Sequence, residues 1–147
     1  MKAKKCLYEG VIVPTVLYGA EAWGMRGAES RKVNVLGIKC LRSLVGMPRM
    51  DRVWNEEVRR KAKNETELAS GADQRVLRWF GHVERMDVYR MARRVLMAEV
   101  RVGWARGRPR LDWMDGVKVA LGNREITLEA ARQCTEDRKD WRALVNM

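Results

Sequence analysis

Residues 73–86 read DQRVLRWFGHVERM. At about 100° per residue, Val76, Trp79, Phe80, Val83 and Met86 fall within about 120° of one another, and Arg75, Arg78, His82 and Arg85 cluster on the next third of the wheel. The spacing predicts a helix over 73–86, with one face that packs and a cationic face beside it. The reading of the remaining segments follows from this pattern of helical period interrupted by short polar or glycine-rich breaks.

Downstream, 89–100 continues as a helix with Met91, Val95 and the Ala92/Leu96 pair turned inward. The stretch RVGWARGRPR (101–110), with four arginines, two glycines and a proline, breaks it. Pro109 sits where a helix can begin, carrying Leu111, Met114, Val117, Val119, Ala120 and Leu121 up to Gly122. A final helix is capped by Thr127, has Glu129 in its first turn and runs through Ala131, Cys134, Trp141 and Val145.

Upstream, Lys2–Val13 shows helical stripes at Leu7/Val11 and Tyr8/Ile12 until Pro14 ends or kinks it. PTVLYGAEAW (14–23) is either a short strand or a tight helical turn. Ser30 caps a helix through Val33, Leu36, Cys40, Leu41 and Leu44 that stops at Gly46, and Asp51 opens another through Val53, Trp54, Glu57, Val58 and Ala62. The expected fold is mainly α: six to seven helices joined by short loops, little or no sheet, in one domain or two small lobes. The lobes are 1–63, an N-terminal helical segment, and 73–147, a basic C-terminal segment, with 64–72 as the linker.

A chain of 147 residues with 30 Lys+Arg against 19 Asp+Glu carries a net charge of +11. Such a balance favours polyanionic partners, nucleic acid foremost. With 46% hydrophobic residues, six tryptophans and nine methionines, the chain has more apolar bulk than a disordered basic tail. Lys2, Lys4 and Lys5 before the apolar stretch 11–20 imitate a signal peptide, but Glu9 and Pro14 interrupt it. No stretch approaches the roughly 20 apolar residues that span a bilayer. The expected location is intracellular, nuclear or cytoplasmic, with no secretion and no membrane partner.

Chemistry is sparsely provided for. There is one histidine, and the three cysteines lie far apart. No CxxC, no adjacent aspartates and no glycine loop ending in GK[ST] offer a platform for zinc or phosphoryl chemistry. His82 lies beside Arg78 and Arg85 on the wheel and reads as a polar-face residue. Asp137 and Asp140 read as surface ion pairs, Cys40 and Cys134 as small core residues. The expectation is a protein without catalytic residues, metal or cofactor.

The candidate nucleic-acid-binding residues are Arg75, Arg78 and Arg85 on the basic helix face and Arg101, Trp104, Arg106, Arg108 and Arg110 in the loop. Arg106-Gly107-Arg108-Pro109 has the core of an AT-hook, in which two arginines lie along a narrow minor groove. Less specific phosphate contact and a solvated loop are its alternatives. Trp104 is placed to stack on a base, whereas Trp113 reads as core.

Five blocks in order are PTVLYGAEAW (14–23), GMPRMDRVWNEEV (46–58), LRWFGHVERM (77–86), RGRPRLDWMDGVK (106–118) and DRKDWRALV (137–145). Together they resemble the C-terminal, thumb and post-palm part of reverse transcriptases of non-LTR (LINE-type) retrotransposons. The resemblance covers nearly the whole chain, and LRWFGHVERM is its most distinctive block. It implies a fragment of an RNA-directed DNA polymerase without the catalytic palm or its Tyr-x-Asp-Asp turn. The implied ligand is an RNA template or an RNA–DNA hybrid in preference to duplex DNA. Rival expectations are a self-associating or protein-binding module with orphaned apolar surface, an AT-hook chromatin protein, and an inert relic.

Overall fold

A computed structural model describes residues 2–64, 66–98 and 112–146, and among them the chain is helical with no strand. It divides into two compact units, one formed by Met1–Ala20 with Met25–Ala72 and the other by Glu21–Gly24 with Asp73–Met147.

In the first unit, α1 (Lys2–Leu7) passes through a π-helical turn, Tyr8–Ile12, into α2 (Val13–Val16). The wide turn inserts a residue ahead of Pro14, so the proline falls in the first turn of α2, where its missing N–H costs no hydrogen bond. The helix therefore neither ends nor breaks at Pro14. PTVLYGAEAW resolves as helical turns, α2 followed by a 3-10 turn at Ala20–Ala22, with Gly19 at φ 68° between them. Of the two stripes, Leu7/Val11 is exposed, and Tyr8 is buried with Ile12 beside it.

The longest helix, α3 (Gly27–Val45), starts three residues before Ser30 because Glu29 reaches back to accept the Arg26 N–H at 3.2 Å. Gly46, at φ 71°, ends it as its spacing predicts. Asp51 closes a 3-10 turn instead of capping a helix, and α4 spans Asn55–Ala62. Arg42 of α3 fixes the entry to α4 by donating to the Val53 carbonyl and, at 3.0 Å, to Asn55 Oδ1. The core of this unit is Tyr8, Ile38, Leu41 and Val58, with Ile12, Val13, Cys40 and Leu44 packed against it.

The pivotal helix, α5 (Leu68–Glu84), opens five residues earlier than its periodicity suggests. Its N-terminal Ala69 N–H is capped at 3.0 Å by Asn34 Oδ1 from α3, a donor–acceptor pair 35 residues apart. A side chain at Gly37 would put its Cβ 2.9 Å from Leu68 Cδ1, so α3 and the start of α5 touch across a glycine. Leu68–Ala72, read from sequence as linker, thus forms the first turn of a helix and groups with the first unit.

In the second unit, Val76, Leu77, Phe80, Val117, Ala120, Leu121, Ala131, Trp141 and Val145 form the core. Phe80 is fully buried, and truncating such a ring costs about 3–5 kcal/mol. The helices are α6 (Met91–Met97), α7 (Trp113–Gly122), α8 (Leu128–Thr135) and α9 (Arg138–Asn146). Thr127 caps α8 as expected, accepting from the Ala130 N–H at 3.3 Å. The single C-terminal helix foreseen from sequence is two helices, because Asp137 Oδ1 accepts the Lys139 and Asp140 N–H groups and starts α9 afresh. Asp137 is therefore a cap rather than a surface ion-pair partner. In α6, Met91 and Val95 are exposed where they were expected inward, and only Leu96 reaches the core. The segment Glu21–Gly24 belongs here too. Trp113 Nε1 donates to the Glu21 carbonyl at 2.8 Å, and a Cβ at Gly116 would stand 2.8 Å from Gly24 Cα.

Candidate nucleic-acid interface

The basic face of α5 is set by the burial of the opposite arc. Val76, Leu77, Phe80 and Val83 turn into the core, which leaves Arg78, His82 and Arg85 exposed and Arg75 half-buried. Trp79 departs from expectation. Assigned to the packing face by its spacing, it is 40% exposed, and its ring lies 5.4 Å from that of His82. At about 40° from Arg75 on the wheel, Trp79 is on the border of the two faces. Burial falls instead on Leu77 and on Gly81, against which Trp141 packs. The exposed face thus carries an aromatic ring among its cations.

Two arginines of the face are held. Arg78 donates to Asn146 Oδ1 at 2.8 Å, and Arg85 donates to the Thr135 carbonyl at 2.9 Å. Both contacts lead to the last two helices and align the guanidinium groups beside them. Partial burial, and then the nearby Arg138 guanidinium, push the Arg85 pKa down. The Arg138 charge thus opposes that of Arg85, a repulsion that an anion relieves. Arg142, exposed one turn beyond Arg138 on α9, extends the cationic surface. Neither Arg138 nor Arg142 is identifiable from sequence as a member of this face, since 53 residues of sequence separate Arg138 from Arg85.

Arg93, on α6, is engaged away from this face. It pairs with Glu84, whose buried carboxylate also receives Arg132 Nε at 3.3 Å. The loop candidates Arg101, Trp104, Arg106, Arg108 and Arg110 lie outside the described residues. Trp113 packs against the core, as its position at a helix start suggests.

A second cationic surface, absent from the sequence reading, lies in the first unit. A groove of about 1250 Å³ is lined by Arg31, Lys39, Arg42, Arg49 and Arg59 among others, with Glu56 and Glu67 as the acidic members. One terminal nitrogen of Arg42, Nη1, is buried there without a hydrogen-bond partner.

Among the described residues, no three His, Cys, Asp or Glu side chains meet where they could hold a metal ion. Cys6, Cys40 and Cys134 are thiols, and burial followed by the charges of Asp140 and Asp137 raises the Cys134 pKa away from the reactive thiolate. No helix among the described residues is long and apolar enough to cross a membrane.

Fold and surface together define a helical, strongly basic protein with a cationic face on α5. The chain is similar to an uncharacterized transposon-derived protein of Caenorhabditis elegans, 28% identical over 153 residues. The match covers 98% of this chain and 54% of the nematode protein, so the chain spans about half the length of its relative. The similarity supports a transposon origin. No family model matches the chain, and no solved structure matches it.

Proposed function

We propose that the chain is a non-catalytic, nucleic-acid-binding part of a retrotransposon-derived reverse transcriptase, gripping an RNA template or RNA–DNA hybrid by its backbone. The observation that carries this reading is the exposed face of α5, on which Arg78, Arg85 and the ring of Trp79 stand out and where the charge of Arg138 bears on Arg85. Guanidinium groups neutralise phosphates, and an exposed tryptophan supplies a stacking platform on which any base can lie. The transposon-derived relative supports the origin, and the loop arginines at 101, 106, 108 and 110 supply further charge from the same half of the sequence.

The test is affinity for an RNA–DNA hybrid, duplex DNA and heparin over a salt series. A hybrid preference of about tenfold or more that survives near 0.2 M salt is the expected result. Replacing Arg78, Arg85 and Arg138 together by Ala should flatten the salt slope by up to about three units, near one per lost phosphate contact. Equal binding to all three polyanions, vanishing together as salt rises, overturns the reading.

A second reading has its own observation. Val88, Tyr89, Met91, Val95 and Met97 are all exposed along α6 and the turn before it, an apolar surface of the kind that marks protein contacts. Sedimentation across a concentration series tests it, and a strictly monomeric chain removes self-association.

A further inference from the structure

One row of α3 faces the open groove of the first unit. Arg31, Val35, Lys39 and Ser43 recur at four-residue intervals, and all four are exposed and line the groove. At 1.5 Å of rise per residue the row runs for roughly 18 Å, about three helical turns. Val35, in its middle, is 67% exposed. Ile38 beside it, and Met47 and Pro48 past the end of α3, continue the lining, so the groove has an apolar, largely aliphatic floor. The start of α4, with Asn55, Glu56 and Arg59, forms the other wall.

The charge around this floor is unequal. Arg31, Lys39, Arg42, Arg49 and Arg59 face only two carboxylates, Glu56 and Glu67. Glu67 is engaged by Arg59 at 3.3 Å and by the Asn34 side-chain amide, and Arg42 donates to the Val53 carbonyl and to Asn55. Arg31 bonds only within its own helix, to the Gly27 carbonyl at 3.1 Å. Lys39 and Arg49 have neither a carboxylate nor a hydrogen-bond acceptor among the described residues. In the loop that borders the groove, Met50 and Trp54 are 88% and 82% exposed. The two Arg42 bonds, to Val53 and Asn55, anchor the chain on either side of Trp54. Exposed Trp, Met and Arg around an apolar floor are the side chains that protein interfaces favour.

A nucleic-acid strand would leave that floor unused. Among the described residues no aromatic ring lines the groove to receive a base, and Glu56 and Glu67 oppose a continuous track of phosphates. An amphipathic helix uses every part of it. Aliphatic side chains spaced at three and four lie on the floor, and carboxylates beside them meet the unpaired cations of the rim.

We infer that the α3–α4 groove docks an acidic amphipathic helix of a partner protein, with aliphatic side chains on Val35, Ile38 and Met47 and carboxylates on Arg31, Lys39 and Arg49. The inference is independent of the nucleic-acid reading, because none of these residues belongs to the basic face of α5.

The experiment selects from a displayed library of random peptides of about 16 residues on the full chain, at about 0.15 M salt, where long-range attraction to the +11 charge is screened. The selected peptides are expected to carry aliphatic residues at i, i+3 or i+4 and i+7, with an excess of Asp and Glu. Their consensus peptide should bind saturably, at least tenfold more tightly than a scrambled peptide of the same composition. Val35→Asn, which adds no charge, should weaken this binding about tenfold or more, and so should Lys39→Glu combined with Arg49→Glu. All three positions are exposed, so the urea midpoints should stay at the wild-type value. Selection of no patterned peptide overturns the inference, as does equal binding of the scrambled peptide, which would reduce the contact to charge alone. Undiminished binding by Val35→Asn places the peptide outside the groove and overturns it as well. A single-stranded uridine oligonucleotide of the same length is the competing class. If it displaces the peptide with greater affinity, and loses that affinity in the Lys39→Glu/Arg49→Glu chain, the groove belongs to a phosphate backbone and the inference fails.

Discussion

Trp141 Nε1 donates to the Leu77 carbonyl at 3.2 Å, and the indole that makes this bond lies where a side chain at Gly81 would be. A Cβ at residue 81 would stand 2.0 Å from Nε1, too close for any relaxed contact. Gly81→Ala should therefore cost about 1–3 kcal/mol by overpacking, seen as a lower urea midpoint with an unchanged slope. An unaltered midpoint would show that α9 shifts freely against α5, and the packing described for this unit would be wrong.

Glu84 is the electrostatic counterpart of that contact. Its side chain is 5% exposed and faces Arg93 and Arg132. Glu84→Ala strands the two guanidinium groups beside an apolar core, and because Arg132 can swing into solvent the expected loss is about 3 kcal/mol, at the low end for a broken buried pair. Replacing Glu84 and Arg93 together should cost less than the single change. A double-mutant cycle of thermal or urea unfolding measures the difference.

Asp73 confers a pH dependence whose sign is fixed. Burial raises its pKa above the ordinary 3.8, with the Asn123 hydrogen bond at 2.9 Å and the Arg124 charge pulling the other way. The folded chain then holds this proton more tightly than the unfolded chain does. The contribution to stability is fully present below the ordinary aspartate value and is lost as pH rises through the raised folded value. Asp73→Asn should be more stable than wild type at pH 7, with the difference shrinking as pH falls below about 4. Unfolding midpoints across that range decide it, and parallel profiles would show that Asp73 titrates normally.

Lys63 gives a test of strain. With φ at 51° it occupies the position after α4 that glycine or asparagine ordinarily fills. Lys63→Gly should raise stability by about 1 kcal/mol, less the entropy that glycine adds to the unfolded chain. Urea midpoints of the two proteins measure it, and an unchanged midpoint would show that Lys63 carries no strain.

What the sequence discloses here is what local periodicity encodes. The inward row Val76–Phe80–Val83 and the outward row Arg78–His82–Arg85 are legible because one helix turn determines both. Gly46 and Thr127 are legible as helix ends for the same local reason. The start of α5 is not, because its cap comes from Asn34 on another helix. Trp79 sits at the edge of two arcs, and only the choice between Trp79 and Leu77 made by Trp141 places it outside the core. Arg138 joins Arg85 through tertiary packing alone.

The hydrogen bond from Trp113 to Glu21 joins residues 92 positions apart. On a ribosome, Glu21–Gly24 emerges long before the helix it serves, and must wait for Trp113 and Gly116 before the second unit can close around it. A connection of such span carries a large loop-closure cost ahead of its reward, which places it late in folding. The helices that read most clearly in the sequence should thus gain protection against hydrogen exchange first, and the Trp113 indole should be among the last groups to acquire its native signal.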